Sequence, residues 1–179
     1  MLKTLIPRGL VFLALTLCTG LGTPVWSRAT NSLPPIIAGK LDRLYPGWKF
    51  QQIANDERQY CVAKDSPFLA QTSLVWGDFD GDGQKDYATL IRHGGKTIAI
   101  VFLKRGGDYQ AFPIFTTDTT EERSPDILAV THKGEKYLDH ESGRAGVYSG
   151  DTVIVAYCES SAVAYIYSAG TFRRVVVSD

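Results

Sequence analysis

The densest chemistry in the chain lies in twelve consecutive residues, Trp76-Gly77-Asp78-Phe79-Asp80-Gly81-Asp82-Gly83-Gln84-Lys85-Asp86-Tyr87. Counted from Asp78, aspartates stand at positions 1, 3, 5 and 9, with Gly81 and Gly83 interleaved. Alternating carboxylates around a tight turn present hard oxygen ligands, and calcium takes about six to eight of them at about 2.3–2.6 Å. Magnesium prefers strict octahedral geometry and retains its waters, so the spacing points to calcium. An Asx-rich turn without any metal uses the same residue types, because Asp and Gly stabilise turns unaided. In that case four carboxylates in nine residues repel one another without compensation, which favours the metal.

With Gly77 before it and Tyr87-Ala88-Thr89-Leu90 after, the Asp78-x-Asp80-x-Asp82-Gly83-x-x-Asp86 run resembles the calcium loop of FG-GAP and VCBS-type repeats. The resemblance covers about fifteen residues, from Val75 to Leu90. It implies side-chain oxygens from Asp78, Asp80, Asp82 and Asp86, a backbone carbonyl from Gln84, and strands on both sides of the loop. A propeller and its adhesive roles do not carry over, because such a fold needs several repeats and this chain shows one copy. The EF-hand also spaces oxygens in this way, but its bidentate glutamate belongs at position 12, where this chain has Thr89. A structural ion of weak to moderate affinity, pinning one hairpin, is the expectation.

Other chemistry is sparse. His93, His132 and His140 are scattered and form no zinc-type spacing with one another or with cysteine. Ser160 or Ser161 would need a distant histidine, with no strand–elbow–helix context to support a nucleophile. Glu121, Glu122, Glu141 and Glu159 could be paired for glycoside hydrolysis, but sequence sets no separation between them. Asp139-His140-Glu141-Ser142, beside Gly143, reads as a turn. Tyr165 and Tyr167 alternate on one strand and could form a binding platform, although sheet packing is the plainer account.

The elements that must position the loop are predominantly strands. Residues 1–27 read as an export signal, with Lys3 and Arg8 ahead of an apolar run from Gly9 to Leu17 and cleavage near Val25-Trp26-Ser27. That run is shorter than the ~20 apolar residues a spanning helix needs, and no transmembrane segment is expected in the mature chain. Processing at Cys18 would instead give a lipid anchor, though Leu17 is large for the residue before such a cysteine. Export to the periplasm or beyond makes a Cys61–Cys158 disulfide the favoured reading, with two buried thiols as the alternative.

Residues 28–33 form a flexible mature N-terminus, and 34–179 a single domain. Pro34 and Pro35 suit a helix start, Ile37, Leu41, Leu44 and Tyr45 give it one apolar face, and Pro46-Gly47 ends it. Strand patterns then take over, at Lys49–Ala54, Gln59–Ala63, Ser73–Trp76, Tyr87–Arg92, Thr97–Leu103 and Tyr109–Phe115. Gly94-Gly95 and Gly106-Gly107 mark tight hairpins, and the doubly apolar Thr97–Leu103 run predicts a central strand. Ile127–Thr131, Lys136–Leu138, Thr152–Cys158, Ala162–Tyr167 and Phe172–Val177 continue the pattern.

The expected fold is α+β, an antiparallel sheet of hairpins with one short helix packed on it, with an all-β sandwich as the alternative. A formal net charge of zero gives no long-range attraction to nucleic acid or anionic membranes. The functional expectation is an exported, non-enzymatic domain that acts in binding, inhibition or envelope maintenance on an unknown protein or envelope component. A cell-envelope hydrolase with catalytic residues distant in sequence is the alternative.

Overall fold

The structure, a computed structural model, describes residues 33–52, 73–117, 125, 127–157 and 161–178. The expected export signal, the Gln59–Ala63 strand, Cys61 and Cys158 all lie outside the described residues.

Helix α1 spans Pro35–Leu44 and opens at Pro34, where a missing N–H removes no bond. Ile37 and Leu41 are fully buried, one turn apart on the inner face, while Leu44 is 55% exposed. Ten residues cannot hold a helix alone in water, so this one persists by packing its inner face on a sheet.

That sheet comprises β1 (Lys49–Phe50), β2 (Leu74–Gly77), β3 (Asp86–His93), β4 (Lys96–Arg105) and β5 (Asp108–Thr116). Strands β3, β4 and β5 follow one another antiparallel, while β2 and β1 share the outer edge of β3. The β3–β4 turn is Gly94-Gly95, with φ of 57° and 80°. Both signs are positive, as a two-residue turn matching the right-handed twist of its strands requires. Strand β4 is buried from Thr97 to Leu103, so the run of apolar residues on both faces does mark a central strand.

A second sheet runs in the order β11 (Thr171–Ser178), β10 (Ala162–Ser168), β9 (Thr152–Ala156) and β6 (Ile127–Thr131). Between β6 and β9 the chain leaves this sheet to form a separate hairpin, β7 (Lys136–Asp139) with β8 (Arg144–Val147). Strand β6 therefore pairs with β9 across the excursion and not with its sequence neighbour.

Both sheets face one another across a shared core. Leu90, Ala99, Val101 and Leu103 from the first meet Leu128, Val153, Val155 and Tyr165 from the second. Helix α1 covers the opposite face of the first sheet, over Ile91, Ile98, Ile100 and Phe102. On the outer face of the second sheet, Tyr137 of β7 and Tyr148 just after β8 pack near Ile154, Ala164 and Ile166. The described residues are thus mostly antiparallel β with one short helix, in keeping with the expected class, and their main strands form two facing sheets, as the sandwich alternative implied. No helix among the described residues is long and apolar enough to cross a membrane.

Candidate metal centre

The acidic run closes the β2–β3 hairpin, since Gly77 pairs with Asp86 and residues 78–85 form the loop between them. Strands flank it on both sides, as the resemblance implied. Phe79, between the first two aspartates, turns inward and is 2% exposed in the core between the sheets. That anchor forces its neighbours Asp78 and Asp80 toward the other side of the loop. Gly77 is required by close approach, because a Cβ there would stand 2.7 Å from Phe79 Cε1 and 3.0 Å from Asp151 Oδ2.

The loop holds its shape by turning carboxylates onto its own backbone. Gly83 N–H donates to Asp78 Oδ2 at 3.0 Å, Asp82 N–H to Asp80 Oδ1 at 3.2 Å, and Gln84 N–H to Asp82 Oδ1 at 2.8 Å. Asp86 is fully buried and accepts two backbone donors, Phe79 N–H at 2.9 Å and Lys104 N–H at 2.7 Å. Even so, burial pushes its carboxyl up to about 6, with the Asp80 and Asp82 charges adding to the rise.

Three of the five expected ligand residues converge. Asp78, Asp80 and Asp86 each bring one carboxylate oxygen to within 4.8 Å of the other two. Asp78 Oδ1 is buried and has no hydrogen-bond partner among the described residues. A buried acceptor left unpaired is costly, and a bound cation is one way to satisfy it. The donor set, all carboxylate oxygen, suits a hard cation.

Asp82 stands outside this group. Its carboxylate is exposed and takes both the Gln84 backbone and the Gln84 side-chain amide, the latter at 2.8 Å. Those hydrogen bonds, Gln84 N–H first among the causes, hold the Asp82 carboxyl below its usual range.

Two residues far from the loop in sequence complete the surroundings. Arg105, at the end of β4, pairs with Asp80 and lies 3.5 Å from Asp82 Oδ2. Asp151, just before β9, accepts from Asp78 N–H at 3.1 Å and approaches His132 Nδ1 at 3.3 Å. No sequence pattern pointed to either: the β3–β4 register brings Arg105 to the loop, and the face-to-face packing of the sheets brings Asp151.

Among the described residues, the remaining candidates do not gather into a catalytic site. His93 packs its ring edge-on against Tyr45, and Glu141 is paired with Arg174 at 2.6 Å. Residues 140–143 form the β7–β8 turn, with Ser142 Oγ donating to Asp139 at the end of β7 at 2.6 Å. Ser160, Glu121, Glu122 and Glu159 lie outside the described residues.

Tyr165 is 5% exposed, enclosed by the apolar core between the sheets, so it presents no surface platform. Tyr167 is half-buried, packs edge-on against Phe112 and Phe172, and accepts from Arg105 Nη2 at 3.3 Å. Both tyrosines serve sheet packing. Compared with protein-family models, curated proteins and solved structures, the chain finds no match in any of the three.

Proposed function

We propose that the β2–β3 loop binds one calcium ion through Asp78, Asp80 and Asp86, with Asp82 and the Gln84 carbonyl completing the set in the manner of the FG-GAP and VCBS-type loop. The observation that carries this reading is the buried, unpartnered Asp78 Oδ1 beside two further carboxylates. The ion would neutralise the cluster and fix the hairpin. Asp86, tied to Phe79 and Lys104, would pass that rigidity to the core and to β4.

A structural role for the ion fits an exported, non-enzymatic domain that acts by binding, as an inhibitor or in envelope maintenance. We read the architecture as α+β, because α1 covers the outer face of the first sheet over Ile91, Ile98, Ile100 and Phe102. The disulfide, periplasmic or secreted location and envelope partner belong to the same proposal, resting on the export signal and cysteine positions.

A second reading has its own observation. Arg105 already neutralises part of the loop, so the turn would stand without metal and the guanidinium would be its permanent counter-ion. Calorimetric titration with calcium separates the two. The calcium reading requires one ion per chain, lost in Asp78→Asn. Absence of binding at millimolar calcium would leave the arginine-neutralised turn.

A further inference from the structure

We propose that Arg105 is an internal competitor for the calcium loop, setting how much calcium the loop needs and linking its occupancy to the β10–β11 hairpin. This inference rests on the calcium reading above.

The Asp80 side chain is 4% exposed, against 39% for that of Arg105. Two contacts close off this carboxylate. Its Oδ1 accepts the Asp82 N–H at 3.2 Å, and its Oδ2 is held by Arg105 Nη1. Yet Asp80 is also one of the three residues whose oxygens converge. A cation entering among Asp78, Asp80 and Asp86 therefore meets a guanidinium already seated on one of its ligands. Two positive charges at one carboxylate repel, and in a partly desolvated loop that repulsion is screened only in part.

Arg105 has somewhere else to go. The same Nη1 donates to Lys104 O at 3.1 Å, and Nη2 donates to Tyr167 Oη at 3.3 Å. Tyr167 ends β10 and packs edge-on against Phe172 at the start of β11 and Phe112 of β5, with ring centroids 5.1 Å and 6.4 Å away. A guanidinium released from Asp80 keeps these two acceptors, so release costs less than stranding a charge. The geometry makes Arg105 a shared counter-ion, bonded to both Asp80 and Tyr167 in this structure and left on Tyr167 alone when the ion takes Asp80. Loop occupancy is thereby felt at an aromatic cluster that joins the two sheets. By linkage, whatever holds the guanidinium at Tyr167 raises calcium affinity by the same factor.

The test is calcium calorimetry on the wild-type mature chain, Arg105→Gln and Arg105→Lys, with Arg105→Ala as a second neutral variant and circular dichroism to confirm folding. Removing the competing charge should tighten calcium binding about three- to tenfold in both neutral variants, the effect of one partly screened like charge. Arg105→Lys should stay nearer to wild type. A purely structural Arg105 that shapes the loop would give the opposite sign, with weaker binding in the neutral variants. Equal affinity or weaker binding overturns the inference while leaving the calcium site standing. If neither wild type nor variants bind calcium, the calcium reading itself fails and the inference falls with it.

Discussion

Truncating Phe79 to alanine would show whether the acidic loop is anchored in the core or merely laid against it. The ring is 2% exposed, inserted between the two sheets from a loop that is otherwise polar. Removing a buried phenylalanine side chain costs about 3–5 kcal/mol, the sum of lost transfer energy and the cavity left behind. Collapse into that cavity is limited on one side by Gly77, which has no side chain to fill it, and on the other by paired strands. The upper half of the range is therefore expected. With a urea slope of about 2 kcal/mol per molar, a loss of about 4 kcal/mol moves the unfolding midpoint down by about 2 M. Urea titration in chelator, so that no ion contributes, measures this directly. Phe79→Leu should lose less, about 1–1.5 kcal/mol, because most of the volume is kept. A loss under about 1 kcal/mol for Phe79→Ala would refute the anchoring argument, and with it the explanation of how Asp78 and Asp80 are aimed.

Three further outcomes follow from the same geometry. The raised Asp86 carboxyl, about 6 against an ordinary 3.8, binds its proton more tightly in the folded chain. Its stabilising contribution is thus complete below about pH 4 and lost as pH rises through about 6, so metal-free wild type should gain about 2 kcal/mol over Asp86→Asn between pH 7 and pH 4.5. A difference that stays constant with pH would contradict this. Ala169 has φ of 50° in the β10–β11 turn, a left-handed conformation that favours Asn or Gly. Ala169→Asn should stabilise the chain by about 0.5–1 kcal/mol in thermal unfolding, and a loss of stability would speak against a strained turn. Gly77→Ala should cost at least ~1–3 kcal/mol by the same measurement, because the new Cβ meets Phe79 and Asp151, and a neutral result would mean those contacts are not close.

Local features were legible in the sequence because local chemistry decides them. Pro34-Pro35 and Pro46-Gly47 bracket the helix, and paired glycines set the β3–β4 and β4–β5 turns. Residue type and spacing likewise gave the loop, its flanking strands and the convergence of Asp78, Asp80 and Asp86. What escaped was everything set by long-range pairing. Strand β6 pairs not with β7, next in sequence, but with β9, twenty-odd residues further on. Strand β8, Arg-Ala-Gly-Val, has a single branched residue, Val147, and no aromatic one to announce a strand. Division into two sheets buried Tyr165 and brought Asp151 to the loop, and no short-range pattern encodes such an encounter, whereas Arg105 arrives through the β3–β4 register.

Thermal unfolding of the protein, in chelator and in 10 mM calcium, tests the central claim most directly. For a dissociation constant of about 10⁻⁴–10⁻³ M, mass action adds about 1.4–2.7 kcal/mol of stability. In a chain of this size this should raise the midpoint by about 3–10 °C, and the rise should vanish in Asp78→Asn and Asp80→Ala. An unchanged midpoint in wild type, or an equal rise in the two variants, would contradict a calcium site in the β2–β3 loop.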